Sequence, residues 1–198
     1  FNDWATISQD FNDAGIVIKN CNIGSNGFAG IHCTGVEDIT LESNTINLTI
    51  EDASSNALNW GSSIKFFECS NIKMVRNDLM GEHATLLWIQ GTSNVFIHNN
   101  VFWNTNTFLT ENATEVTPTA IKLVAQYDNR TINNIGFFYN TFYFEDNETT
   151  NASSSYYNFF TQYIALDSDQ DGLPTAASFG GDIYFQYNNC YSYDTDCP

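Results

Sequence analysis

An asparagine recurs inside one short pattern along most of the chain, and this repeat restricts the fold more than any other feature. The units run Ile39 to Ile46 around Asn44, Ile72 to Leu79 around Asn77, Val95 to Phe102 around Asn100, Ile135 to Phe142 around Asn140 and Ile183 to Cys190 around Asn188. An earlier unit, Ile16 to Ile23, carries Cys21 where the others have asparagine. Apolar residues fill the first, third and eighth places. The alternation Ile39/Leu41, Ile72/Met74, Val95/Ile97 has the period of a strand with one buried face. Asparagine at the sixth place tolerates a left-handed turn, and its amide can bond to backbone or to a neighbouring amide. Stacked in successive windings of the chain, Asn44, Asn77, Asn100, Asn140 and Asn188 are expected to form a ladder, as amides do in cross-β stacks.

A second strand precedes each unit: Ile31/Cys33, Ile64/Phe66, Leu87/Ile89, Ile121/Leu123 and Ile164/Leu166. Ile31, Ile64 and Leu87 each stand eight residues before the next unit; the offset grows to 14 from Ile121 and 19 from Ile164. Constant offsets with occasional insertions are what a solenoid requires. Unit-to-unit steps are 23, 33, 23, 40 and 48 residues. The expectation is a single all-β domain spanning 1–198, with a repeat core over 16–190, about six coils, and long loop insertions at 104–131 and 144–180.

These Asn-bearing coils resemble the right-handed parallel β-helix superfamily, the pectate-lyase-like superfold, over nearly the whole length from Ile16 to Cys190. The resemblance implies a fold and leaves the activity open, because its members include polysaccharide lyases, glycoside hydrolases, esterases, tailspikes, adhesins and structural surface proteins. The polygalacturonase-like residue set (Asn-Thr-Asp, Asp-Asp, Gly-His-Gly, Arg-x-Lys) is absent from this sequence. No motif supports the calcium ligands and base of the pectate-lyase-like pattern.

Charge narrows the partners. The net charge is −17, with only six Lys and Arg. Nucleic acid is excluded as a partner, since phosphate binding needs basic patches. An acidic surface suits solubility, divalent cations or neutral glycans. No apolar run reaches the roughly 18 residues of a membrane span. Phe1 in place of an initiator Met is expected to begin a mature product or a fragment.

Candidate chemistry is sparse. Asp78, Glu82 and His83, beside Arg76 and with His98 one coil on, form the best acid/base group. They could serve a glycosidase if a turn brings the two carboxylates within about 5–9 Å. Lys73 and Glu42 are expected to form an ordinary ion pair between adjacent coils. The stretch Asp167, Asp169, Asp171 with the Leu173 carbonyl resembles the calcium loops of dockerins, EF-hands and thrombospondin type-3 repeats. Thr175 and Ser178 stand where those loops carry acids, so the set needs Asp182 or another loop to be complete.

Five sequons, at Asn47, Asn112, Asn129, Asn147 and Asn151, are expected in turns or insertions as N-glycan acceptors. Cys190 and Cys197 are expected to pair; the partners of Cys21, Cys33 and Cys69 stay open, with small buried hydrophobes the simplest reading. Phe96, Phe138, Tyr184, Tyr139 and Tyr187 fall at or beside outward places, where aromatics stack on sugars or pack against another protein, unless the insertions cover them. The expectation is an extracellular or cell-surface β-solenoid glycoprotein of structural or adhesive type, self-associating into filaments or binding other surface proteins. The alternatives are a polysaccharide lyase or glycoside hydrolase, and a glycan-binding module.

Overall fold

A computed structural model describes residues 6–8, 15–25, 29–49, 62–82, 85–106, 119–126, 131–146, 158–165, 178–179 and 181–193. The strands follow in windings. Coil one has β1 (Thr6–Ser8), β2 (Ile16–Lys19) and β3 (Asn22–Ser25); coil two has β4 (Ala29–Thr34), β5 (Glu37–Glu42) and β6 (Thr45–Thr49). Coil three has β7 (Ser62–Phe67), β8 (Ser70–Val75) and β9 (Asp78–Glu82); coil four has β10 (Thr85–Gln90), β11 (Ser93–His98) and β12 (Val101–Asn106). Coil five has β13 (Thr119–Gln126), β14 (Thr131–Phe138) and β15 (Thr141–Asp146). Coil six has β16 (Asn158–Ala165), β17 (Ser178–Phe179), β18 (Ile183–Gln186) and β19 (Asn189–Tyr193).

Three parallel sheets result, because each strand pairs with its counterpart one coil away. The first runs β1-β4-β7-β10-β13-β16; the second runs β2-β5-β8-β11-β14, with both β17 and β18 on β14; the third runs β3-β6-β9-β12-β15-β19. The protein is a parallel β-helix of six coils. Strands β13, β16 and β17 lie within the stretches 104–131 and 144–180, so those stretches carry parts of the sheets.

Register stacks like on like. Ile31, Ile64, Leu87 and Ile121 align in the first sheet. Ile39, Ile72, Val95 and Ile135 align in the second. Ile46, Leu79, Phe102 and Phe142 align in the third, with the Phe102 and Phe142 rings stacked at 4.6 Å. All these residues are buried, and burying each such side chain contributes about 1.5–3 kcal/mol. In the last coil the register differs from the expectation: Phe160 lies opposite Ile121, and Ile164 lies opposite Ala125. The slide is by four residues, an even number, so it preserves the period-two register.

The expected amide ladder is present. Asn44, Asn77, Asn100 and Asn140 are buried, and each donates both its backbone N–H and its Nδ2 to the Oδ1 of the next asparagine, ending at Asn188, at 2.8–3.0 Å. The left-handed backbone falls elsewhere than expected. It belongs to the residue before each ladder position, Asn20, Ser43, Arg76, Asn99, Tyr139 and Tyr187, at φ between 53° and 58°. That residue takes the corner and points outward, which leaves the following asparagine free to turn its amide inside. The corner between the first and second sheets is taken by Gly35, Glu68 and Gly91 in the same conformation.

Candidate functional site

Strand alternation sets what each face of the prism shows. On the second sheet, Val17, Thr40, Lys73, Phe96, Gly136 and Tyr184 form one outward row. Lys19, Glu42, Val75, His98, Phe138 and Gln186 form the next. The corner residues Asn20, Ser43, Arg76, Asn99, Tyr139 and Tyr187 make a third row. Thr40, Lys73, Lys19, Glu42 and Arg76 make the early coils mostly polar or ionic, and Phe96, Phe138, Tyr139, Tyr184 and Tyr187 make the late ones mostly aromatic; Val17, the buried Val75 and Gln186 break the trend.

The aromatic residues singled out from the sequence come together here. Tyr139 and Tyr187 are 61% and 71% exposed, and their rings stack at 5.1 Å with 10° between planes. Phe96 is 45% exposed and packs against Phe138 at 5.3 Å. The Phe138 ring lies across Gly136: a Cβ on Gly136 would stand 2.4 Å from Phe138 Cε2. The glycine is therefore the gap that lets this ring lie down. Tyr184 is 44% exposed and donates its hydroxyl proton to Asp182 at 2.7 Å. Around the corner, on the third sheet, exposed Trp103 meets Tyr143 edge-on at 5.3 Å, and Tyr191 is exposed in the next coil.

The early coils hold an ionic cluster. Glu42 pairs with Lys19 at 2.9 Å and with Arg76. The expected Lys73–Glu42 pair is corrected: in register Lys73 lies opposite Thr40 and Phe96, while Glu42 lies opposite Val75. Lys73 acts on Glu42 only through its field. The Lys19 hydrogen bond, then the charges of Lys19, Arg76 and Lys73, outweigh partial desolvation and hold the Glu42 carboxyl below its usual range. Desolvation, with Lys73 and Arg76 behind it, lowers the His98 imidazole.

Two of the acid/base candidates share one strand. Asp78 opens β9, Glu82 ends it, and the stretch between them is extended where a turn was expected. At about 3.3 Å per residue their Cα atoms stand roughly 13 Å apart. His83 lies outside the described residues. The calcium candidates Asp167, Asp169, Asp171 and Leu173 also lie outside them, and Ser178 belongs to β17. Among the described residues, no group of three or more His, Cys, Asp or Glu could hold a metal ion.

Of the sequons, only Asn47 is described. It sits within β6 on an outward, exposed place, where a turn was expected; Asn112, Asn129, Asn147 and Asn151 lie outside the described residues. Cys190 is exposed and its thiol is free. Cys197, its expected partner, lies outside the described residues. Cys33 and Cys69 are buried free thiols, and burial, with Cys69 close by, pushes the Cys33 thiol up to about 12.

Two features escaped sequence reasoning. A second amide file runs outside the coils: Asn71 Nδ2 donates to Asp38, Asn94 to Asn71 and Asn134 to Asn94, at 3.0–3.1 Å. Its signal was present, since the place before each unit is Gly, Asp or Asn throughout, and Asp38, Asn71, Asn94 and Asn134 have φ between 53° and 57°. The other is on the outer face of the first sheet. There Trp88, 1% exposed, lies between the Nζ atoms of Lys65 and Lys122, at 4.1 and 3.8 Å from the ring centroid. Strand β10 is buried on both faces, so the first sheet is covered at its middle, where the second stands open at Lys73 and Phe96.

Comparison with family models, with curated proteins and with solved structures finds no match to this chain.

Proposed function

We propose that this chain is an extracellular, non-catalytic β-solenoid of structural or adhesive type, whose working surface is the aromatic corner between the second and third sheets. The observation that carries this reading is the position of its exposed apolar side chains. Among the described residues, Phe96, Val101, Trp103, Tyr139, Tyr184, Tyr187 and Tyr191 all belong to coils four to six, and Val17 is the one such residue of the early coils; Phe185 faces the core rings Phe137 and Phe142. A continuous exposed apolar patch of this kind marks a docking surface. Kinship to the pectate-lyase-like superfold, N-glycans at the five sequons and calcium at Asp167, Asp169, Asp171 and the Leu173 carbonyl belong to the same proposal.

The test sets turnover against docking. The chain is assayed for cleavage of a panel of wall polysaccharides and for retention on surfaces coated with them or with the chain itself. The expected result is no cleavage, and retention lost in a Phe96→Ser/Tyr139→Ser/Tyr187→Ser variant whose melting temperature is unchanged. Cleavage that disappears in Asp78→Ala or Glu82→Ala sinks the proposal in favour of an enzyme. A second reading, a glycan-binding module, draws on the ring of Phe138 laid over Gly136 beside the stacked Tyr139 and Tyr187, a flat arrangement suited to sugar faces. Selective hits on a glycan array, lost in the same variant, would establish it.

A further inference from the structure

We propose that the outer face of the second sheet is self-complementary, and that a second copy of this chain docks on it in antiparallel orientation. The proposal rests on the docking reading above and names the partner.

A two-fold axis along the strand direction keeps each residue's place along its strand and exchanges coil one with six, two with five and three with four. It sets exposed Val17 against Tyr184 of the second copy, and Lys73 against Phe96 of the second copy. Val17 is 66% exposed and is the one large exposed hydrophobic of the early coils among the described residues. The operation thus gives that side chain an apolar cover, and it gives Lys73 an aromatic face for a cation–π contact. In the next row it sets Lys19 against Gln186 of the second copy, and Thr40 and Glu42 meet the Phe138 ring that covers Gly136; Val75 is buried and takes no part. Isologous pairing of this kind closes at two chains.

Charge favours the same arrangement. Two copies at −17 each repel over most of their surfaces. Three of the six Lys and Arg, namely Lys19, Lys73 and Arg76, lie on this face or its edge, against the carboxylates of Glu37, Asp38, Glu42 and Asp182, so the face is close to neutral. It is therefore a surface where the repulsion lapses. A parallel pairing, with the axis along the solenoid, would gather the cations of both copies in one place; the antiparallel pairing sets each cluster against the aromatic coils of the other. The first sheet is unsuited, because its outer face is already buried at Trp88, Gln90 and Val124.

Size sets the strength. Six strands at about 4.8 Å spacing, each presenting roughly 15–17 Å, give about 400 Å² of projected face per copy. Twice that area is the weak end of specific interfaces, so the expected species is a reversible dimer.

Sedimentation equilibrium on the full chain over a concentration series tests this. The expected result is a monomer–dimer equilibrium that tightens as salt screens the net charge, and that Phe96→Lys weakens at least tenfold by setting two cations together. Val17→Lys and Tyr184→Glu stand five coils apart, too far to meet within one copy. In the antiparallel dimer they face each other, so the double variant should dimerise more tightly than the product of the two single effects predicts. Additive effects overturn the arrangement. A strict monomer at every concentration and salt overturns the proposal; if that monomer still loses retention in the triple aromatic variant, the docking reading survives with another partner.

Discussion

Each amide in the inner file has its donors and acceptor used in one direction. Its Nδ2 and backbone N–H point toward the following coil's Oδ1, and the Nδ2 also reaches a carbonyl of the preceding coil, as from Asn77 to Leu41 at 2.9 Å. Removing one rung therefore strands two buried donors of its neighbour. Asn100→Ala takes the acceptor from both donors of Asn77 and one of the two donors from Asn140, and should cost about 3–5 kcal/mol in denaturant unfolding. Asn94→Gly, which keeps the left-handed corner and removes only the exposed amide, should cost about 1 kcal/mol or less. A polar file also needs an end. The outer one runs the other way and stops at Asp38, a carboxylate that accepts and cannot donate. The inner one stops at Cys21, whose N–H reaches Asn44 Oδ1 at 3.0 Å while its side chain supplies no amide. Cys21→Asn would add the missing second donor and should stabilise the fold by about 1 kcal/mol, read as a shift in the denaturation midpoint. The other thiols separate by burial. In the native state Cys21 and Cys190 should react with maleimide, while Cys33, held up at about 12, and Cys69 should label only after unfolding.

At the level of the strands, the three sheets are used differently although the same alternation builds them. The first is closed on both sides at β10, the second is open outward, and the third carries Trp103 and Tyr143 at its surface. The closed face has a testable titration. Burial first, and the nearby Lys65 ammonium second, bring the Lys122 amine down to about 8 from 10.5. Below pH 8 both folded and unfolded chains carry the proton, and the full cost of burying the charge is present. Between about pH 8 and 10.5 the unfolded chain binds more protons, so stability rises with pH through this window. The Cys33 thiol works in the opposite sense above about 9, where the unfolded chain loses a proton that the folded one keeps. The difference in melting temperature between the native chain and Lys122→Met isolates the lysine. That difference should move in favour of the native chain from pH 8 to 10; a flat difference would contradict it.

For the molecule as a whole, each coil touches only its neighbours, so stability accumulates by contacts between adjacent coils. Among the described residues burial falls off toward both ends: Ile16, Ile18 and Ile23 are half-buried in coil one, and Phe185 is 39% exposed in coil six. Amide hydrogen exchange should accordingly be slowest in β8, β10 and β11 and should quicken toward β2 and β18.

Much of this was legible in the pattern of residues. Period-two alternation names the inward face, and the recurring asparagine dates each winding, so the stacking of Asn44, Asn77, Asn100 and Asn140 and the outward placing of Phe96 and Tyr184 followed from spacing alone. What spacing does not contain is distance across the coils. Glu42 found Arg76 in preference to Lys73 because the corner residue swings outward while Lys73 is held over Thr40. Asp78 and Glu82 were read as a turn because polar residues crowd there, yet β9 is held extended by pairing with β6 and β12. The slide of β16, the covering of Trp88 and the ring of Phe138 over Gly136 likewise depend on which neighbours arrive. The sequence by itself determined the winding, because a periodic choice between oil and water needs no partner to be expressed. Only the tertiary structure decided which face stayed open and which charges met, because those depend on Coulomb and packing terms between residues 20 to 50 positions apart.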